Sequence, residues 1–118
     1  SAAPAEDIQQ TLNLEVIVRA SDIIVADRGT GVLRTLPDID GAHDLEGLSE
    51  FLQTIKSRYP QKTDATVLLM PDTAYDIVVQ VMDAVRAYTT ELEGKPAQAE
   101  LFPDISIGDA PDIGDVPA

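Results

Sequence analysis

The 118-residue sequence contains no cysteine, which excludes disulfide frameworks, cysteine-ligated zinc and thiol chemistry. Aromatic residues make up only 4% of the chain, so the core must be built mainly from Leu, Ile, Val and Ala. Apolar runs stay short of the roughly 20 residues that span a bilayer, and no signal peptide is evident. What remains is a chain with 44% hydrophobic residues, which is enough for one globular domain with a sizeable core.

Positive charge is scarce as well. Eight Lys and Arg residues stand against 21 Asp and Glu residues, for a net charge of −13. Such a surface repels the phosphates of nucleic acids and of anionic lipids, so we expect no nucleic-acid binding. A basic protein partner or a cation is compatible with this charge. A simpler interpretation is that the acidity keeps a small domain soluble.

The first half of the chain predicts three short strands followed by a helix. Residues 12–20 alternate apolar and polar side chains, 23–27 form a hairpin partner, and 32–36 alternate again. A helix is predicted to start at Asp44, whose carboxylate would cap it, because leucines and other apolar residues recur at helical spacing. The helix is expected to end before Pro60.

The second half predicts a strand, a helix and a last strand. Residues 65–70 are continuously apolar, as in a central strand that is covered on both faces. The second helix is predicted to be capped by Asp72 and Thr73 and to continue to Glu93. "AELF" and "ISIG" form a last strand, and Pro103 between them restricts it to a sheet edge or a bulge.

This order of elements predicts an α+β fold in two layers, with two helices packed on one face of a small mixed β-sheet. Residues 12–108 are assigned to this domain. Residues 1–11 are expected to be a flexible linker, and residues 109–118 a disordered acidic tail, because they lack an apolar period and any Lys or Arg.

The sequence offers few groups for catalysis or for metal binding. Its single histidine, His43, lies near Asp38, Asp40 and Asp44, but their spacing does not match a calcium-binding loop. "DRGTG" at 27–31 has two glycines but precedes a strand, whereas a phosphate loop precedes a helix. No nucleophile elbow or dinucleotide-binding glycine motif is present. We therefore expect no enzyme, no cofactor and no metal.

Asp72 has two interpretations, because it follows the apolar run and precedes the second predicted helix. It could be a ligand, or it could compensate for the free amides and the dipole of that helix. The second interpretation is favoured, since no glycine-rich loop, nucleophile or base accompanies it in the stretch "LLMPDTAYDIVVQVMDAVR".

Four motifs carry a family resemblance: "LNLEVIVRASDIIVADRG", "DLEGLSEFLQTIK", "LLMPDTAYDIVVQVMDAVR" and "LFPDISIG". In this order they resemble the periplasmic domain of the ExbD/TolR biopolymer-transport family, over about residues 12 to 108. The resemblance gives a structural role to Asp72, Tyr75, Asp83 and Arg86. Two segments are longer than is usual in the family, namely "RGTGVLRTLPDIDGAH" and "AYTTELEGKPAQAE".

The resemblance implies the periplasmic domain of a single-pass inner-membrane protein of a Gram-negative bacterium. Such proteins sit, usually as homodimers, in a channel-forming partner of the ExbB/TolQ type. The complex uses the proton motive force to drive TonB or TolA, which serve outer-membrane transporters or envelope integrity. The family's proton-carrying Asp lies in a transmembrane helix, which we expect ahead of Ser1, since "SAAPAEDIQQ" looks like the start of an excised domain.

We expect a TonB/TolA-like partner to bind by adding an extended segment to an exposed strand of the sheet. The first and the last strand are the predicted edges. Their candidate contact residues are Leu14, Val16, Val18, Phe102, Ile105 and Ile107. The alternatives are a module of the cell envelope that binds peptidoglycan or a small ligand, and an enzyme with paired carboxylates of raised pKa.

Overall fold

The computed structural model describes residues 12–110, which form seven strands and two helices. In chain order these are β1 (Leu14–Val18), β2 (Asp22–Asp27), β3 (Gly31–Pro37), α1 (Leu45–Arg58), β4 (Asp64–Leu69), α2 (Tyr75–Arg86), β5 (Ala87–Leu92), β6 (Lys95–Glu100) and β7 (Asp104–Asp109). The predicted linker at 1–11 lies outside the described residues, as does the predicted tail beyond Ala110. The last strand includes Asp109, one residue past the predicted end of the domain.

Five strands form one mixed sheet in the order β3-β2-β1-β4-β7. β1 pairs antiparallel with β2, β2 pairs antiparallel with β3, and the β1–β4 and β4–β7 pairs are parallel. The parallel crossovers are made by α1 and α2, because a parallel connection needs a long return path. The helices pack against the sheet, and the predicted α+β fold is confirmed.

The main core lies between the sheet and the helices. The inward side chains of β1 contact those of α1 and α2 there, together with two residues that precede β7. The fully buried residues of this core include Val16, Leu48, Leu52, Val67, Val81, Val85, Leu101 and Phe102. Ile17, Ile24 and Ala26 form a second, smaller buried cluster. β1 therefore carries buried side chains on both of its faces, although its sequence alternates like a half-buried strand.

Helix α1 begins and ends as the sequence predicts. The Asp44 carboxylate accepts a hydrogen bond from the Gly47 amide, with Oδ1 and N 2.9 Å apart. Such a cap stabilises a helix by about 1 kcal/mol, since it satisfies an amide that has no partner in the first turn. The helix ends at Arg58, and Tyr59 closes it ahead of Pro60 by donating its amide to the Ile55 carbonyl.

Helix α2 differs from its prediction at the N-terminus. Its N-cap residue is Ala74, which offers no side-chain hydrogen bond. The Thr73 hydroxyl donates to the Met70 carbonyl at 2.8 Å, so it stabilises the turn before the helix. The prediction that Asp72 and Thr73 cap the helix is therefore wrong.

The C-terminus of α2 also differs, because the helix ends at Arg86 and does not reach Glu93. The chain turns back as the β5–β6 hairpin, whose turn residues Glu93 and Gly94 both have positive φ angles, of 54° and 78°. Two adjacent left-handed residues are typical of the tight turns that join hairpin strands. "AELF" is accordingly divided between β6 and the core, and the last strand is β7 alone.

Candidate functional site

Strand β7 forms one edge of the five-stranded sheet. The amide of Asp104, at the start of β7, donates to the Thr63 carbonyl at 3.0 Å, and the amide of Ala110, just after β7, donates to the Leu69 carbonyl at 2.9 Å. The register with β4 is unbroken between these two bonds, so the even-numbered residues of β7 face β4. Because successive residues of a strand point their backbone groups to opposite sides, the amides and carbonyls of 105, 107 and 109 point outward. In residues 12–110 no strand pairs with this side of β7.

The side chains of β7 give this edge an apolar centre and acidic ends. Ile105 is half-buried and packs against the main core, whereas Ile107 is 55% exposed. Asp104 and Asp109 are exposed at the two ends, and the strand contains no basic residue. We call the outward backbone groups of 105, 107 and 109, together with the Ile107 side chain, the β7 edge.

Strand β3 forms the other edge, but several features block pairing there. The amide of Asp38, just after β3, donates to the Ser21 carbonyl at 3.0 Å. Because backbone groups alternate in direction along a strand, those of residues 35 and 37 point away from β2. Residue 37 is a proline and has no amide to donate. The register with β2 also shifts opposite Val25 and Ala26. Prolines and bulges are the devices that protect natural sheet edges from added strands, so β7 is the more open edge.

The structure corrects the predicted edge at the first strand. β1 lies between β2 and β4 and is paired on both sides, so it is not an edge. Its candidate contact residues Leu14, Val16 and Val18 are all buried in the core. Phe102 is likewise fully buried and precedes β7. Of the six candidates, Ile105 and Ile107 lie on an edge strand.

The four residues of the family motif lie on α2 or just before it, and all are exposed. Asp72 is in the connection after β4, and Tyr75, the first residue of α2, is 81% exposed. Arg86 donates to Asp83 at 3.2 Å, one helical turn apart on the surface. Exposed ion pairs contribute little stability, so this pair is no evidence that Asp83 and Arg86 stabilise the fold. A structural role for the four residues stays a prediction.

His43 and Asp44 are engaged separately, each with a partner of its own. His43 Nε2 lies 2.7 Å from the Arg19 carbonyl oxygen, which fixes that nitrogen as a donor. Asp44 caps α1, as described above. Within residues 12–110, no three His, Asp or Glu side chains are grouped in a way that could hold a metal ion.

Asp27 is a structural residue that the sequence analysis did not identify. Its Oδ1 accepts from the Asn13 amide at 2.8 Å, and its Oδ2 accepts from the Thr30 amide and hydroxyl at 3.1 and 2.9 Å. Burial acts to raise the pKa of Asp27, but these hydrogen bonds favour the carboxylate and hold its pKa below the ordinary value. An Asp followed three residues later by Thr in "DRGT" is the pattern that could have indicated it.

Arg19 and Asp22 form a two-pronged ion pair across the turn between β1 and β2. The guanidinium Nε and Nη2 atoms donate to the two carboxylate oxygens of Asp22, each at 2.7 Å. These hydrogen bonds lower the pKa of Asp22 and raise that of Arg19. The pair fixes the turn that leads from the central strand into β2.

Residues 12–110 form a two-layer α+β domain, and the more open edge of its five-stranded sheet is β7, with an aspartate at each end. Comparison with family models, with curated proteins and with solved structures finds no match to this chain. No helix in the described part of the chain is long and apolar enough to cross a membrane.

Proposed function

We propose that this chain is the periplasmic domain of a proton-motive-force-dependent inner-membrane complex of the ExbD/TolR type, and that it is an interaction module without enzymatic activity. In this proposal the domain binds an extended segment of a TonB/TolA-like transducer along β7. The observation that carries the binding mode is the β7 edge, with three outward-facing residues in unbroken register. The order of motifs in the sequence supports the family.

Strand addition would use the backbone for affinity and the side chains for selectivity. Each main-chain hydrogen bond contributes only about 0.5–1.5 kcal/mol net, because it replaces a bond to water. The partner therefore also needs an apolar side chain next to Ile107, which is exposed and lies at the middle of the edge. Each cross-strand apolar pair of this kind contributes roughly 0.2–1 kcal/mol.

The charge of the domain favours a basic partner segment. Asp104 and Asp109 flank the edge, and the whole chain carries a net charge of −13. Opposite charges accelerate encounter, and salt screens that effect over about 10 Å at 0.1 M ionic strength. Binding is therefore expected to weaken as salt is raised.

The other features of the family belong to the same proposal. They are a homodimeric state, a channel-forming partner of the ExbB/TolQ type, a location in the periplasm and anchoring through a transmembrane helix. The transducer in turn would power transport across the outer membrane.

The test is an NMR titration of the isotope-labelled domain, at low salt, with a peptide from the periplasmic linker of the transducer. The amides of 105, 107 and 109 are expected to shift, whereas those of β3 stay in place. If the shifts are absent, or if they follow β3 and leave β7 unchanged, recognition at β7 is wrong.

The second candidate is a cell-envelope module that binds peptidoglycan or a small ligand. The observation in its favour is a cleft of about 340 Å³ between α1 and the turn that joins β2 to β3. Pull-down with purified peptidoglycan separates this candidate from the first. Retention of the domain on peptidoglycan, without any response to the transducer peptide, would favour the second.

A further inference from the structure

The cleft beside α1 has the size and the lining of a site for a small molecule. Its volume of about 340 Å³ is at the lower end of the range for ligand pockets, roughly 300–1,000 Å³. One wall is the β2–β3 turn with Leu33, and the other is the last two turns of α1, with Phe51 and Ile55. Leu12 and Tyr59 complete an apolar lining.

Both walls of the cleft are held in place by contacts within the protein. The Asp27 carboxylate fixes the β2–β3 turn through Thr30 and Asn13. At the adjoining end of the cleft, the guanidinium of Arg34 lies over the Phe51 ring, 5.5 Å from its centroid, and links β3 to α1. The cleft is therefore formed before any ligand arrives, which lowers the entropic cost of binding.

Most polar groups in the lining are already used by the protein. Both Asp27 oxygens accept hydrogen bonds, the Thr30 hydroxyl donates to Asp27, and the Thr54 hydroxyl donates to the Glu50 carbonyl. Arg58 differs, because it lies exposed in the lining and has no ion pair with another residue between 12 and 110. It is thus the charged donor that a ligand can use.

We propose that this cleft binds a small amphipathic monocarboxylate. The apolar body of the ligand packs against Leu33, Phe51 and Ile55, and its carboxylate accepts from Arg58. A guanidinium matches a carboxylate with two parallel hydrogen bonds. A single negative charge is also favoured over a phosphate, since the domain as a whole carries a net charge of −13.

Octanoate tests this proposal, with octanamide as the matched neutral probe. Titration of the labelled wild-type domain with octanoate is expected to give saturable amide shifts at Leu33, Phe51 and Ile55. Octanamide is expected to bind at least about tenfold more weakly, because a hydrogen bond to a charged group is stronger than one to a neutral amide. Equal binding of the two probes, or no saturable shift at millimolar octanoate, overturns the proposal.

Two arginine variants identify the charged group. Arg58→Gln is expected to weaken octanoate binding about tenfold and to leave octanamide binding unchanged. Arg28→Gln is the control, since Arg28 is exposed, pairs with Glu15 at 3.0 Å and does not line the cleft. It is expected to bind octanoate as the wild type does. Unchanged octanoate binding by Arg58→Gln contradicts the proposal.

A third variant tests the apolar body of the site. Leu33 is 41% exposed, so Leu33→Ser is expected to keep the fold and to weaken the binding of octanoate and octanamide alike. The amide spectra of the three variants, recorded in the absence of probe, check that each is folded. None of them touches β7, so the transducer titration remains an independent experiment.

Discussion

Asp22 and Asp27 are buried or half-buried carboxylates that each hold a turn next to the central strands. Asp22 is paired with Arg19, whereas Asp27 is surrounded only by neutral donors. In both cases the pKa lies below its ordinary value, because the hydrogen bonds to the charged form outweigh the cost of burial. These turns place β2 and β3 relative to β1, and they therefore shape both the sheet and the cleft.

Replacing Asp27 with Asn is expected to destabilise the domain by about 1–3 kcal/mol. The amide group of Asn would place a donor opposite the Thr30 amide, which is itself a donor, in a site that is only 8% exposed. The free energy of unfolding, measured by urea denaturation at neutral pH, checks this value.

Asp72→Asn is the matched control for that measurement, since it makes the same change at an exposed carboxylate that caps no helix. It is expected to change stability by less than about 0.5 kcal/mol. A loss as large as that of Asp27→Asn would support the structural role that the family resemblance implies for Asp72.

The effect of Asp27→Asn should also depend on pH. Because the pKa of Asp27 is lowered in the folded state, its carboxylate contributes stability that is present above the unfolded pKa, about 3.9, and is lost as pH falls through the folded pKa. Urea denaturation at pH 6 and below pH 3 is expected to show a wide stability gap between wild type and variant at pH 6 and a narrower one in acid. A gap that stays constant, or widens in acid, contradicts this role.

Local capping could be predicted at one helix and not at the other. Asp44 was identified because a good capping residue stands directly before an apolar helical period. At α2 the residues Asp72 and Thr73 are equally good caps by type, but Thr73 bonds backward to Met70 and the helix starts later. The choice between a turn bond and a cap depends on backbone angles that the sequence does not reveal.

Among the elements, the β5–β6 hairpin is where sequence and structure differ most. The apolar spacing of α2 continues past Arg86, and this favoured a longer helix. Tyr88, Thr89 and Thr90 have strand preference, however, and the amides of Leu101 and Phe102 donate to Arg86 and Val85, at 2.8 and 3.0 Å. Those bonds join residues 15 or more positions apart, so no local pattern could indicate them.

Shortening the hairpin tests whether it is separable from the rest of the fold. Replacing residues 89–98 with Asn-Gly keeps the inner pair of Tyr88 and Ala99 and supplies a favoured two-residue turn. Since the removed residues are mostly exposed, the shortened protein is expected to unfold within about 1 kcal/mol of wild type in urea.

The same variant should also bind the transducer peptide like the wild type, because β7 is untouched. A shortened protein that no longer folds would show that the hairpin belongs to the core. A folded one that no longer responds to the peptide would move the binding surface to β5 or β6.

The edges of the sheet could be predicted only in part, because strand order also depends on pairing between residues that are distant in the sequence. Pro103 was expected to interrupt a last strand and to restrict it to an edge or a bulge; it instead precedes β7, which does lie at an edge of the sheet. The position of the first strand cannot be predicted in this way, because its alternation indicates one buried face but says nothing about which strands lie beside it. Its place between β2 and β4 results from the parallel β1–β4 pair, which forms only when α1 crosses the sheet.

At the scale of the whole molecule, charge and topology favour the same surface. The net charge of −13 favours a basic partner, and the unprotected strand β7 carries carboxylates at both ends of its apolar centre. β3, by contrast, has a proline in its outward row and a register shift beside it. Of the two edges of the five-stranded sheet, the proposed partner strand therefore joins β7, and Ile107 lies at the middle of that edge.

Replacing Ile107 with Pro removes one outward amide and leaves the bonds between β7 and β4 in place, because residue 107 faces away from β4. Ile107→Val is the matched control, since it keeps the amide and most of the apolar side chain. Transducer peptide that is N-methylated at alternate residues provides a second test without any change in the domain.

The affinity of the transducer peptide for these two variants, measured by titration at low salt, tests strand addition at β7 most directly. Ile107→Pro is expected to bind at least about fivefold more weakly than wild type, and Ile107→Val within about twofold, because the first loses a main-chain hydrogen bond and the second does not. Equal affinity of folded Ile107→Pro and wild type would contradict the proposed binding mode.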